Sequence, residues 1–246
     1  MSLPVFFAPS LEGVCAGGTI ALEGDEARHA VVVRRTRVGE QIALTDGVGT
    51  TAVGEVLDTS KSTLSLRVVS VSSSEPEMPR VVVVQAIPKG DRGELAVEML
   101  TEVGADVIVP WAAARSVAVW RGDKAVKASA KWRSTAREAA KQARRSWFPS
   151  VSEMATTSDV VALLEKASLP VVLHEGASGP LSDLAVPGRG EIVIVVGPEG
   201  GLNDEEIAAF AHVGAEPLRL GSSVLRTSTA GVAAVAALLS RSPRWR

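Results

Sequence analysis

Residues 191–201, EIVIVVGPEGG, and residues 218–230, LRLGSSVLRTSTA, are the stretches from which the fold of this chain can be read. The run from Ile192 to Val196 is apolar and β-branched and breaks off at Gly197-Pro198-Glu199-Gly200-Gly201, the pattern of a buried strand that ends in a glycine turn. Open α/β sheets bind ligands at the carboxyl ends of their strands, so a turn there is well placed for a site. Its glycines leave the main chain open to a ligand. Next, Asn203 is set to cap a helix, and Glu206, three residues on, to complete a capping box. A second strand, Pro217 to Leu220, leads into a second turn, Gly221-Ser222-Ser223, and the chain leaves through Val224 to Ala230. One glycine turn before a capped helix is common in α/β proteins and decides little. Two such turns close in sequence predict one site built from both.

Upstream of these turns the pattern alternates: a strand from Val81 to Ile87, a helix over 91–104, a strand from Val107 to Pro110, helices over 124–145 and 157–167, and a strand from Val171 to His174. Helices over 204–213 and 229–239 complete the series. This alternation predicts an α/β fold, a parallel sheet of about five strands with helices on both faces. The first 70 residues differ. Short apolar runs (Gln41 to Leu44, Thr51 to Val56, Leu64 to Val71) are separated by Asp46-Gly47-Val48-Gly49 and Asp58-Thr59-Ser60-Lys61, which predicts a small β-barrel. SVSSSEPEMP, residues 70–79, reads as a linker. The expected division is therefore 1–72 and 79–246.

With 46% hydrophobic and 22% charged residues the composition is that of a globular protein. A single cysteine, Cys15, excludes an intrachain disulfide and fits a reducing compartment. No run has the length and purity of a transmembrane helix, and MSLPVFFAPS lacks the features of a signal peptide, so a cytoplasmic protein without a membrane partner is expected. The net charge of −2 hides a segregation. Nine basic residues lie between Arg121 and Arg145 against Asp123 and Glu138, whereas residues 151–216 carry eleven acidic groups and two basic ones. Such asymmetry suits a polyanionic partner, although a solvated basic helix has the same pattern. GxGxxG after the first strand, a P-loop, paired histidine ligands and GxSxG are all missing, which leaves dinucleotide chemistry, metal catalysis and nucleophilic hydrolysis with little support.

VGPEGGLNDEEI together with LRLGSSVLRTSTA resembles the C-terminal signature of the SPOUT methyltransferases, and among them the RsmE family, which methylates N3 of a uridine in 16S ribosomal RNA. The likeness extends over nearly the whole chain. It implies a SPOUT-type parallel sheet with a C-terminal trefoil knot, a PUA-like β-barrel that binds RNA, S-adenosylmethionine as cofactor, 16S ribosomal RNA or the 30S subunit as partner, and a homodimer. HAVVVRRTRVGEQIALTDG is similar to the family's N-terminal motif at His29, Arg35, Gly39, Asp46 and Gly47, with Arg34 where leucine is frequent. Arg28, His29, Arg34, Arg35 and Arg37 also form a basic cluster in their own right. Trp132, Glu138, Gln142 and Arg145 match a helical family segment in which Arg144 occupies a usual glycine; their spacing allows one shared face, a candidate RNA surface. Lys89, Arg115, Lys131, Arg137 and Lys141 join the RNA candidates.

For the cofactor, the resemblance points to the main chain of Leu173, His174, Glu175 and Gly176, of Val196, Gly197, Pro198, Glu199, Gly200 and Gly201, and of Leu220, Gly221, Ser222 and Thr227, with Val224 and Leu225 as apolar walls. Methyl transfer to uridine N3 displaces an imide proton, and the resulting anion spreads onto two carbonyl oxygens. A fixed guanidinium suits that charge, and Arg226 is the first candidate; an ion pair with Glu199 is its structural alternative. The base is open. Ser228 stands where the family often has glutamate, which leaves Glu138 or solvent water. Gly221-Ser222-Ser223 replaces a frequent Gly-Pro-Arg. Two other readings compete: a SPOUT ribose 2′-O-methyltransferase and a non-catalytic ribosome-assembly factor.

Overall fold

The structure, a computed structural model, describes residues 3–245. The chain divides into two compact units: the described part of Met1–Pro76 together with Ala140–Phe148, and Glu77–Ala139 together with the described part of Pro149–Arg246. The expected division leaves 140–148 in the second unit. The structure instead groups this stretch with the first.

In the N-terminal unit β1 (Val5–Phe7), β2 (Thr19–Glu23), β3 (Gln41–Thr45), β4 (Thr50–Thr59) and β5 (Thr63–Ser73) form one sheet in the order β1-β3-β4-β5-β2. Only β1 and β3 run parallel. Two register shifts between β4 and β5 mark bulges, which bend paired strands and let a sheet curl around its own core. That core is Phe6, Ile42, Leu44, Val56, Leu64 and Leu66. A short helix, α1 (Gly24–Arg28), and a π-helical turn, His29–Val33, close one side. Residues 146–148 pair with 47–49: Gly49 N donates to Ser146 O, Phe148 N to Gly47 O, and the Trp147 indole N–H to Ser74 O at 2.9 Å.

The C-terminal unit is built on seven strands, all parallel: β6 (Arg80–Ala86), β7 (Val107–Trp111), β8 (Ser150–Val151), β9 (Leu169–Leu173), β10 (Gly179–Pro180), β11 (Glu191–Val196) and β12 (Pro217–Arg219), in the order β10-β12-β9-β11-β6-β7-β8. The two strands beyond the five expected are two-residue edges. Strand periodicity assigns the faces. Val81, Val83, Ile192, Ile194 and Val196 point to one side, where α2 (Arg92–Val103), α3 (Gly122–Gln142) and α6 (Thr227–Leu239) pack; Val82, Val84, Val193 and Val195 point to the other, against α4 (Thr157–Lys166) and α5 (Asp204–His212). The centre of the sheet is thus apolar on both faces, as its unbroken valine and isoleucine runs require. β12 lies outside β9, yet the chain after it returns so that α6 packs on α2, β6 and β11.

Two helix ends answer sequence expectations directly. The Asn203 carboxamide accepts from Glu206 N at 2.7 Å and Glu206 Oε2 accepts from Asn203 N at 3.0 Å, the expected capping box. α3 stops at Gln142 rather than 145, because Arg144 takes the left-handed region at φ 55° and Arg145 N closes onto Ala140 O. This is a Schellman ending with arginine where glycine is usual.

Candidate functional site

β11 delivers its glycine turn, and β12 its own, to one end of the sheet, where both border a cavity of about 350 Å³. One hydroxyl ties them: Thr227 Oγ1, in the first turn of α6, donates to Gly197 O at 2.5 Å. Gln85, fully buried at the end of β6, completes the tie by donating through Nε2 to Thr227 Oγ1 at 3.2 Å and Thr227 O at 3.3 Å. The first turn is therefore held to the start of α6, which follows the second turn, and to the end of β6. Gly221 has φ 134° and nothing within 4 Å of where a Cβ would stand, so its peptide faces open space on the cavity wall. Gly200 has a different reason for lacking a side chain, since a Cβ would meet Arg115 Cβ at 3.0 Å.

The charged lining is predominantly cationic: Arg92, Arg219 and Arg226 against Glu175 and Glu199, with His174 beside them. Arg226 is the N-cap residue of α6, and its exposed side chain makes no hydrogen bond or ion pair among the described residues, so the alternative pairing with Glu199 is not formed. Glu199 instead accepts from Lys89 N at 3.1 Å. His174 Nδ1 accepts from Gly176 N at 3.1 Å. Behind the first turn Arg115 Nη1 donates to Leu202 O at 3.2 Å and Gly200 O at 3.4 Å, while buried Glu206 accepts from Ala114 N at 2.8 Å.

The pattern of the RNA methyltransferase domain matches residues 75–239, and that of the RNA methyltransferase PUA domain matches residues 22–69. A ribosomal RNA small subunit methyltransferase E from Mycobacterium bovis is 42% identical over 233 residues, covering 93% of this chain and 89% of the relative. The chain belongs to the ribosomal RNA small subunit methyltransferase E family. The Bacillus subtilis member is 32% identical over 228 residues, 89% of each chain. The crystal structure of the Neisseria gonorrhoeae member bound to S-adenosyl methionine superimposes with a TM-score of 0.86 at 28% identity, covering 97% of this chain and 98% of the other.

Against the methyltransferase E resemblance, thirteen of the sixteen expected cofactor residues line the cavity; Gly176, Gly200 and Ser222 do not, and Ser223 does. Arg226 lines it too. Glu138 does not: it lies on α3, 3.7 Å from Arg137 Nε, and is not brought to the cavity of its own chain. Sequence reasoning missed Arg92 and Arg219. Arg92 opens α2 just after β6, and the rule that sites gather at carboxyl ends of strands makes that stretch a candidate once β6 is seen to lie beside β11.

The RNA candidates fall into different classes. Arg28, Arg34 and Arg35 are exposed, while His29 is half-buried with its ring edge-on to Phe6 at 5.9 Å. Lys89, Arg137 and Gln142 are exposed. Lys131 is exposed but pairs with Glu94 at 2.9 Å, which by hydrogen bond and charge raises its pKa above the ordinary lysine value. Arg115 braces the glycine turn, and Arg145 Nε donates to Trp147 O. Two expectations are corrected. The Lys141 side chain is 5% exposed and bonds Glu26 at 2.6 Å, so it serves the interior of the N-terminal unit rather than RNA. Trp132 is 2% exposed and packs edge-on to Trp120, so the proposed shared face of α3 is divided between core and solvent.

Proposed function

We propose that this chain transfers the methyl group of S-adenosylmethionine to N3 of a uridine in 16S ribosomal RNA, acting in the cytoplasm as a homodimer. The observation that carries the reading is the tie from Gln85 through Thr227 to Gly197 at a cavity bordered by both turns, in a chain similar over 93% of its length to a methyltransferase E protein. Its lining suits the cofactor: Val196, Leu220 and Leu225 are apolar walls for an adenine, and the open peptide at Gly221 offers main-chain partners. When bound, S-adenosylmethionine supplies an electrophilic methyl on a cationic sulfur. The protein's work is alignment and charge: peptide groups of both turns orient the donor, and Arg226 faces the anion that develops on the uracil. N3 lies on the Watson-Crick edge, so the base enters unpaired.

The return of the chain from β12, outside β9, to α6 on β6 and β11 supports the trefoil threading expected of the family. Half-exposed Val232, Ala233 and Ala237 on α6 and the 77% exposed Val224 support an apolar contact with a second copy. No helix among the described residues is long and apolar enough to cross a membrane.

Mass spectrometry of 16S RNA from a strain lacking the gene, with and without the gene restored, tests the reading. Loss and recovery of one N3-methyluridine is expected. A ribose-methylated product would assign 2′-O chemistry, and unchanged methylation with defective small-subunit assembly would assign a non-catalytic factor. Light scattering of the purified protein should give twice the chain mass.

A further inference from the structure

Six charged or titratable side chains line the cavity: Arg92 from the start of α2, His174 and Glu175 after β9, Glu199 after β11, Arg219 at the end of β12, and Arg226 at the cap of α6. Among the described residues neither Arg92 nor Arg226 makes an ion pair. Arg92 Nη1 lies 3.5 Å from Ser228 Oγ, a buried hydroxyl two residues past Arg226. That distance places the Arg92 tip against the same helical turn that Arg226 caps. A carboxylate at position 228 would neutralise Arg92; serine leaves its charge available to a ligand. The two acids of the lining, Glu175 and Glu199, are exposed and pair with neither arginine among the described residues, and Glu199 accepts from Lys89 N.

Resting on the reading that the substrate is a uridine, we propose that Arg92 is a second catalytic arginine which, with Arg226, binds the uracil as its N3 anion, so that the imide proton leaves to water instead of to a protein carboxylate. The anion suits two guanidinium groups because its charge is shared by N3 and the flanking O2 and O4, and each carbonyl oxygen can accept from one planar donor. Positive charge and hydrogen bonds to the charged form lower the pKa of the bound imide. Every unit of lowering raises the anionic fraction at neutral pH about tenfold. N3 gives its proton to a water molecule and keeps the electron pair. That pair then forms the bond to the methyl carbon as the carbon–sulfur pair departs with sulfur, which leaves neutral. The cationic rim holds charge on the base and needs no base of its own.

The test uses full-length protein, 30S subunits from a strain lacking the gene, and S-adenosylmethionine. Single-turnover methyl transfer is followed from mildly acidic to alkaline pH for wild type, Arg92→Gln and Arg92→Lys, with cofactor affinity measured by calorimetry. Arg92→Gln is expected to bind cofactor within about twofold of wild type and to react about 10²-fold more slowly at neutral pH. Its deficit should shrink in alkali, because the apparent pKa of the rate rises by about one unit or more. Arg92→Lys keeps the charge and loses the planar fork, so a smaller shift in the same direction is expected, and it carries the test if the glutamine variant does not fold. An equal deficit at every pH overturns the proposal. So does a fall in cofactor affinity that matches the fall in rate, since it would assign Arg92 to the cofactor. Wild-type protein that makes no N3-methyluridine refutes the underlying reading instead, a result that these variants do not affect.

Discussion

Thr227 Oγ1 donates to Gly197 O at 2.5 Å and accepts from Gln85 Nε2 at 3.2 Å, so one side chain joins the turn after β11, the start of α6 and the end of β6. Thr227→Val keeps the shape and removes both bonds; the Gly197 carbonyl loses that donor, while Gln85 Nε2 keeps Ala86 O and Thr227 O. A loss of about 1–3 kcal/mol is expected from denaturant unfolding, together with weaker cofactor binding by calorimetry as the two turns loosen. Arg226 acts differently. Its side chain holds nothing in the fold, so Arg226→Lys should unfold like wild type and bind cofactor normally while single-turnover methyl transfer falls about 10²-fold. Unchanged rates would remove Arg226 from the chemistry. The site was legible at this scale where backbone-shaping residues mark it: glycine turns and the RTSTA stretch declare themselves. Arg92 did not, because an arginine opening an ordinary helix carries no local mark, and only the strand order shows that β6 ends beside β11.

Helix α3 shows what a pattern of charges leaves undecided. Helical spacing gives the period of a face but not which groups find partners across space. Lys124, Lys127 and Arg137 are exposed, Lys131 is held by Glu94, Lys141 is interior, and Trp132 is core. The partner of Lys141 lies 115 residues away, beyond any local reading. Replacing Lys124 and Lys127 by alanine should therefore weaken RNA binding and flatten its log-log salt dependence by about one unit per lost phosphate contact. A slope that does not move would mean that these lysines face solvent in the complex. Local pairs need no such reach, and α4 begins with one. Thr156 N and Oγ1 both donate to Asp159, which holds its carboxyl below the ordinary carboxylate value. A depressed folded pKa means that this cap contributes above the unfolded value of about 3.9 and is lost as pH falls through the folded one. In Thr156→Ala the Asp159 midpoint, followed by NMR, should move part of the way back up, since the backbone donor remains.

Across the whole molecule the most consequential departure from the sequence reading is the membership of residues 140–148. No composition change marks them, because 140–142 are the last residues of a helix that begins at Gly122 and 143–148 follow it directly. What they contribute to the N-terminal unit is specific. Lys141 meets Glu26, whose other oxygen accepts from Phe7 N at 3.1 Å. Trp147 lies where a Cβ on Gly49 would fall 2.7 Å from its ring, and Phe148 packs at a tilt against Phe7 with centroids 5.9 Å apart. A 76-residue domain sits near the size at which a small core is marginal, and the loss of one buried ion pair and two aromatic side chains removes much of its margin. Residues 1–76 expressed alone should therefore lack a cooperative unfolding transition, although the linker at 70–79 invites that truncation. In the full chain Lys141→Met should cost about 3 kcal/mol, because it strands the Glu26 carboxylate, and adding Glu26→Gln should recover part of that loss. A cooperative transition from isolated 1–76, with midpoint near that of the intact protein, would show that the returning segment decorates a unit that folds without it.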